Sequence, residues 1–189
     1  WQRNIAYPRL GFDSFKCGED MDVPQTEEHG YVSDDSDFEQ IIWEFEHKDE
    51  STPLFLFNVT IQNHGSYTVE DYPAEVQLAE EPGAYPKAEQ YLTLANKTDE
   101  AFKKLIDYFS AQTEPTILVM FGDHQPSVEQ EFLDKAYGVT QDEMTMAQYM
   151  DKFKVPFIIW ANYPLTGDST KITSLNFLAQ YVLRNAGIE

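Results

Sequence analysis

The sequence predicts an α/β fold: a three-layer α/β/α sandwich whose sheet is mainly parallel. Three continuous apolar runs of strand length support this prediction, because a strand covered by helices on both faces needs apolar residues at every position. A long segment with apolar residues at helical spacing separates the first two runs. Strand, helix and strand in this order form a right-handed crossover between parallel strands.

The predicted strands are PLFLFNVTI (53–61), TILVMF (116–121) and VPFIIW (155–160). Pro53 bounds the first run and Gly122 ends the second. Each run has the length of a strand and is short for a buried helix.

Three helices are predicted around these strands. The segment DSDFEQIIWEFEHK (35–48) has apolar residues at helical spacing behind an acidic start, which favours a helix. The crossover helix has one apolar face, made by Tyr91, Leu92, Ala95, Phe102, Leu105, Ile106 and Phe109. A last helix is expected from about Leu175 to Arg184. Residues 1–34, rich in Gly, Pro and Asp, are expected to form a long structured loop with short pieces and no helix or strand signal at the start.

Composition fits one globular domain over 1–189. The chain has 42% hydrophobic and 14% aromatic residues, more than a disordered chain carries. Thirteen basic and 33 acidic residues give a net charge of −20. That field repels phosphate backbones and anionic membrane surfaces, so it argues against nucleic-acid binding and favours cations. Cys17 is the only cysteine, so no disulfide within the chain is possible.

No stretch of about 18 apolar residues is present, so no transmembrane segment is predicted. The chain begins at Trp1, without Met or a signal peptide, as expected for the edge of a longer polypeptide.

Polar residues follow two predicted strands directly: QNHGSY contains His64, and GDHQP contains Asp123 and His124. In open parallel sheets, ligands bind beyond the carboxyl ends of the strands. An adjacent carboxylate and imidazole suit Zn²⁺ or Mn²⁺, and Gly122 allows the sharp turn that aims both side chains at one point. The alternative is a solvated turn with an Asp cap and a surface histidine.

His64 is a candidate to bind an anionic or hydroxyl group, or to act as general acid. The alternative is a loop histidine satisfied by backbone hydrogen bonds. If the first two strands are neighbours, His64 and the Asp123–His124 pair face one cleft.

Two further segments have polar character. In WQRN, Arg3 suits bidentate recognition of phosphate or sulfate, and Trp1 can pack on a glycerol or sugar unit; a frayed end is the alternative. The acidic stretch DDSD (34–37) lacks the Gly and Glu of a calcium loop. A helix N-terminus, which favours negative charge, explains it better.

Taken in order, the segments WQRN, YPRLGFDSF, PLFLFNVTIQNHGSY, TILVMFGDHQP and VPFIIW form a series that resembles lipoteichoic acid synthases and related phosphoglycerol transferases. These enzymes are grouped with sulfatases in the alkaline phosphatase superfamily. The resemblance covers roughly the second half of their extracellular catalytic domain. It implies an alkaline phosphatase-like fold with its N-terminal portion missing here, and an enzyme that works outside the cytoplasmic membrane. Membrane attachment would come only from N-terminal segments outside this chain.

The resemblance also implies residue roles. Asp123 and His124 match the metal-binding pair, and His64 matches the histidine that contacts the substrate phosphate or leaving group. Trp1 and Arg3 match a W-x-R element that lines the glycerophosphate pocket. The implied cofactor is a divalent metal ion (Mn, Zn or Mg), expected to bind weakly or not at all to this chain alone. The implied substrate is a lipid-linked or glycan phosphoester or sulfoester.

The family's nucleophile, a Thr or a modified Cys or Ser, lies near the start of the catalytic domain, and this chain has no matching position. Cys17 is not in the C-x-P-S-R context, and Thr60 and Thr68 do not match either. This chain alone is therefore expected to be inactive. Two alternatives to a phosphoglycerol transferase stay open: a sulfatase or phosphoester hydrolase, and a non-catalytic acidic binding module with His64 and Asp123 far apart.

Overall fold

The structure is a computed structural model that describes residues 2–166 and 172–188. Its contacts divide the chain into two compact units, Trp1–Leu105 and Ile106–Glu189. The single domain predicted for 1–189 stays a prediction.

The start of the first unit contains short elements. Helix α1 covers Arg3–Arg9, and a 3₁₀ turn covers Gly18–Asp20. Strands β1 (Glu27–Glu28) and β2 (Tyr31–Val32) form an antiparallel hairpin. The expectation of a loop with short pieces is therefore met, although no sequence signal predicts helix α1.

Two longer helices follow, α2 (Asp34–His47) and α3 (Pro86–Ser110). The side chain of Ser33 accepts the backbone N–H of Ser36 and so caps α2, and acidic residues in the first turn complement the helix dipole. Both helices were predicted from their apolar spacing, and both are confirmed. Their facing sides carry the core: the rings of Phe38 and Phe102 lie 6.2 Å apart, and Leu94, Ala101 and Leu105 are buried.

The prediction of a strand at 53–61 is wrong, because this segment has no regular secondary structure. Its apolar side chains are exposed: Leu54, Phe55, Phe57, Val59 and Ile61. An apolar run predicts burial, but a strand also needs a hydrogen-bonded neighbour, and no neighbour is found among residues 2–166 and 172–188. The strand–helix–strand crossover is therefore not formed.

The second unit contains the strands β3 (Ile117–Phe121) and β4 (Phe157–Ala161). Between them lie α4 (Gln130–Tyr137), a 3₁₀ turn (Gln141–Glu143) and α5 (Met146–Asp151), and α6 (Leu175–Asn185) follows. Both strands and the last helix were predicted and are confirmed.

The prediction of a mainly parallel sheet fails for this pair, because β3 and β4 run antiparallel, with Val119 opposite Ile159. An apolar run carries no information on strand direction. An antiparallel pair also needs only one covered face, and Phe121 and Ile158 are exposed here. The three-layer arrangement stays a prediction.

No helix in the described part of the chain combines the length and the apolar character that a membrane crossing needs.

Candidate active site

The turn that carries Asp123 and His124 is attached to the segment that enters β4. The backbone N–H of Gly122 donates to the carbonyl of Pro156 at 3.1 Å, and the side-chain amide of Gln125 donates to the carbonyl of Lys154. A Cβ atom at Gly122 would lie 3.2 Å from the Cβ of Val155. Glycine therefore permits the close approach that holds this turn.

The side chains of Asp123 and His124 lie close enough together for both to contact one cation. His124 Nδ1 lies 2.9 Å from the carbonyl oxygen of Gln125. Because a carbonyl only accepts, Nδ1 carries the hydrogen and the neutral ring offers its lone pair at Nε2. This Nε2 lies 3.5 Å from Asp123 Oδ2. Two ligand atoms at about 2.1 Å from a tetrahedral zinc ion are about 3.4 Å apart, so the spacing fits.

The pair is open to solvent, since the Asp123 and His124 side chains are 86% and 73% exposed. Within the described ranges, no group of three or more His, Cys, Asp or Glu residues could hold a metal. The pair offers two potential metal-binding atoms, whereas a zinc site takes three or four protein ligands.

His64 is exposed and held in the same way as His124. Its backbone N–H donates to the carbonyl of Ile61 at 2.9 Å, and its Nδ1 lies 2.8 Å from the carbonyl oxygen of Gly65. The carbonyl can only accept, so Nδ1 carries the hydrogen and Nε2 is left for a ligand. Backbone satisfaction, the alternative considered from the sequence, thus accounts for one ring nitrogen only.

A buried hydrogen-bond network fixes the loop that presents His64. Gln62 is 1% exposed; its Oε1 accepts the backbone N–H of Asp34 at 2.9 Å and its Nε2 donates to the carbonyl of Leu94 at 3.2 Å. The Asn63 amide donates to Thr98 Oγ1 at 2.8 Å, and the Thr98 hydroxyl donates to Asp34 Oδ2 at 2.6 Å. The start of α2, the His64 loop and α3 are thereby joined.

Two carboxylates at the start of α2 belong to this region: Asp34 is buried and Asp37 is half-buried. Burial raises the pKa of Asp34, against the hydrogen bond from Thr98. Burial also raises the pKa of Asp37 to about 6, against a hydrogen bond from Asn58 and with a contribution from the Asp34 charge. The sequence placed DDSD (34–37) correctly at a helix N-terminus, but no signal marked two of its carboxylates as buried or half-buried.

The remaining predicted site residues lie at the chain start. Trp1 lies outside the described residues. Arg3 is half-buried in the first turn of α1, and its role in phosphate binding stays a prediction. His64 belongs to the first unit, whereas Asp123 and His124 belong to the second, so the shared cleft also stays a prediction.

The supporting residues Gln62, Thr98 and Gln125 were not singled out from the sequence. Gln62 and Gln125 flank the predicted histidines, and a polar side chain directly after an apolar run was the available signal. Thr98 had none, because it lies far along the chain inside an otherwise regular helix.

Comparisons with known proteins place this geometry in context. The family model "Sulfatase" matches residues 1–188. The chain is 30% identical over 200 residues to a Rhizobium meliloti protein assigned provisionally to cyclic beta-1,2-glucan modification, covering 100% of this chain and 30% of that one. It is 26% identical over 163 residues to the lipoteichoic acid synthase-like YvgJ of Bacillus subtilis, covering 84% and 26%.

The chain is also similar to a solved structure, Streptococcus pyogenes phosphoglycerol transferase GacH in complex with sn-glycerol-1-phosphate, with a TM-score of 0.76 and 19% identity. The match covers 98% of this chain and 46% of GacH, and it shows a shared fold. The chain thus spans less than a third of these curated relatives and under half of GacH.

Proposed function

The chain belongs to the sulfatase family, and from this membership we propose that it is part of a metal-dependent transferase that moves a phosphoglycerol or related phospho-group onto a cell-envelope polymer or glycan. The observation that carries the proposal is the 3.5 Å spacing of His124 Nε2 and Asp123 Oδ2, with the imidazole tautomer set by Gln125. This spacing supports joint binding of one divalent cation.

The phospho-group and the acceptor are inferred from relatives. GacH is a phosphoglycerol transferase solved with sn-glycerol-1-phosphate, and the similar Rhizobium meliloti protein is linked to modification of a cyclic glucan. Together they favour a phosphoester donor, lipid-linked or carried on a glycan, and a glycan or polymer hydroxyl as acceptor. The net charge of −20 disfavours nucleic acid as a substrate.

Asp123 and His124 would hold Mn²⁺, Zn²⁺ or Mg²⁺. When bound, such an ion supplies Lewis-acid polarisation of a phosphate oxygen. The Arg3 guanidinium would bind the phosphate oxygens with its paired N–H groups, beside Trp1. When both of its ring nitrogens are protonated, His64 would donate the Nε2 proton to the leaving oxygen as the bond from that oxygen to phosphorus breaks.

The attacking hydroxyl is proposed to come from residues outside these 189, because Cys17, Thr60 and Thr68 do not match the family's nucleophile. Attack breaks the O–H bond of this hydroxyl, whose proton passes to water, forms an ester bond to phosphorus and breaks the bond from phosphorus to the leaving alcohol. Transfer to an acceptor hydroxyl then regenerates the nucleophile. We place this reaction at the outer face of the cytoplasmic membrane, with any membrane anchor also outside this chain.

The test uses the complete encoded polypeptide. Replacing Asp123→Ala is expected to remove bound metal, measured by elemental analysis, and to reduce phosphodiester turnover by at least about a hundredfold. Asp142→Ala is the control, since it removes an exposed carboxylate from the same unit. Unchanged metal content and turnover in Asp123→Ala would contradict the proposal.

A sulfatase is the second candidate, favoured by the name of the matching family model. Parallel assays with aryl sulfate and aryl phosphodiester substrates separate the two. Preferential sulfate release, abolished by Asp123→Ala, would replace the transferase by a sulfatase at the same site.

A further inference from the structure

His29 has an unusual environment in the first unit. It is the first of two turn residues between β1 and β2, and both it and Gly30 have positive φ, 56° and 81°, as a type I′ turn requires. Both of its ring nitrogens are shielded from solvent and have no hydrogen-bond partner within the described residues. A left-handed backbone and buried ring nitrogens without partners each cost folding free energy. This cost indicates that His29 has a role beyond stability.

The His29 ring is packed into tyrosines. It stacks on Tyr67, with centroids 5.9 Å apart and planes at 24°. Tyr31 and Tyr72 lie 6.0 Å and 5.9 Å away. Tyr67 is itself 5% exposed and has a positive φ of 41°. Two residues with left-handed backbone therefore meet face to face, one from the hairpin and one from the His64 loop.

These rings connect the hairpin to His64 by two routes. Tyr31 contacts the His64 ring directly, edge to face, at a centroid distance of 5.9 Å and 70°. The Tyr67 hydroxyl donates to the carbonyl of Asn63 at 2.6 Å, one residue before His64. The hairpin is held in turn by Glu28, which accepts from the Tyr72 hydroxyl at 3.0 Å and from Lys97 at 2.9 Å.

We propose that His29 and Tyr31 are positioning residues for His64: the hairpin tip fixes the orientation in which the His64 ring presents Nε2 to substrate. The proposal rests on the proposed function of His64. Among the described residues, one ring nitrogen of His64 is hydrogen-bonded, so a single hydrogen bond restrains the rotation of the ring about its side-chain torsions. The Tyr31 ring and the stacked His29–Tyr67 pair add to this restraint. Holding a proton donor in its reactive orientation is a recognised source of rate.

The experiment separates the ring of His29 from its turn. His29→Asn creates Asn-Gly, the preferred I′ sequence, so the hairpin is kept while the ring is lost. His29→Phe keeps a flat ring without the nitrogens. Tyr31→Leu and Tyr31→Phe form the corresponding pair at the direct contact. Trp43→Leu is the control, because Trp43 stacks on His47 at 4.1 Å.

Imidazole NMR spectra of the 189-residue chain report the orientation directly, with His64 assigned through His64→Gln. His64 resonances are expected to shift in Tyr31→Leu and in His29→Asn. Tyr31→Phe and His29→Phe should keep the His64 signals of the unmodified chain, including the cross-peaks to the aromatic ring at position 31. Trp43→Leu should move His47 and leave His64 in place. Unshifted His64 signals in both Tyr31→Leu and His29→Asn would overturn the proposal.

Turnover is measured on the complete encoded polypeptide with bis(p-nitrophenyl) phosphate. Tyr31→Leu is expected to lower kcat roughly tenfold to a hundredfold with little change in KM, and Tyr31→Phe should recover most of it. An unchanged kcat in Tyr31→Leu, when His64→Gln is inactive, overturns the positioning role. Full activity in His64→Gln instead overturns the proposed function of His64, while the NMR result still decides whether the hairpin orients the ring.

Discussion

At the scale of single residues, Asp37 is expected to make the stability of the first unit depend on pH. Its pKa in the folded chain is about 6, against 3.8 for a free Asp side chain. Below about pH 4 both states are protonated and the folded state carries no penalty. Between about pH 4 and pH 6 the unfolded chain releases this proton while the folded chain keeps it, so the folded state loses up to about 3 kcal/mol of stability, and the loss is complete above about pH 6.

Asp37→Asn should therefore raise the melting temperature at pH 8 and leave it nearly unchanged at pH 4, while its side-chain oxygen can still accept from Asn58. Thermal denaturation at a series of pH values measures this. Glu39→Gln removes an exposed charge from the same helix and controls for the general effect of the acidic surface. Parallel pH profiles for Asp37→Asn and the unmodified chain would show that burial of Asp37 is not linked to folding.

Gly122 is a second residue with a defined steric role. Gly122→Ala should cost about 1–3 kcal/mol of stability, because the added methyl group would lie 3.2 Å from the Cβ of Val155. Val155→Ala keeps that Cβ but removes the two methyl groups, so residue 155 has room to shift. This variant should recover part of the lost stability. Urea unfolding of both single variants and the double variant gives the coupling energy. Strict additivity would contradict a direct contact.

The site residues also show what sequence can supply at this scale. Asp123, His124 and His64 are predicted as site residues because polar side chains follow apolar runs, a signal that is local in the chain. The partners of these residues are not local: Thr98 reaches Asn63 and Asp34 from a different helix. Burial of Asp34 and Asp37 could not be predicted, since it depends on which segment covers the start of α2.

At the scale of elements, the network that joins α2, the His64 loop and α3 converges on one hydroxyl. Thr98→Val should destabilise the first unit by about 1–3 kcal/mol, because Asp34 Oδ2 and the Asn63 amide would lose a buried partner. Thr98→Ser keeps the hydroxyl and should retain most of the stability. Chemical denaturation compares the two, and equal losses in Val and Ser would assign the effect to packing instead.

The three longest described helices, α2, α3 and α6, were predicted because their apolar spacing is contained in the segment itself, whereas the shorter helices α1, α4 and α5 were not. Strands were predicted less well, since pairing is a relation between distant segments. TILVMF (116–121) and VPFIIW (155–160) are strands, but their antiparallel pairing was not encoded in either run. PLFLFNVTI (53–61) has equally strong strand composition and remains unpaired among the described residues.

At the scale of the whole molecule, the resemblance predicted from the ordered motifs is confirmed, because the Sulfatase model covers residues 1–188. The fold is shared with a phosphoglycerol transferase. The motifs were informative because they follow one another in the family's order. Metal, substrate and membrane attachment stay proposals.

The 189-residue chain alone is expected to bind Zn²⁺ or Mn²⁺ more weakly than micromolar, since Asp123 and His124 supply only two protein ligands and a stable zinc site takes three or four. Calorimetric titration measures this, with Asp123→Ala as the reference for non-specific binding to the acidic surface. A micromolar or tighter dissociation constant that Asp123→Ala abolishes would contradict the expectation.

The attachment of Gly122 and Gln125 to Pro156 and Lys154 has a consequence for how this fold tolerates change. The stretch from 126 to 153 leaves and returns at nearly the same point, and both ends are fastened there by backbone carbonyls. We therefore expect that its helices can be exchanged or shortened without displacing Asp123 and His124. Changes within residues 126–153 should then leave the proposed cation site in place.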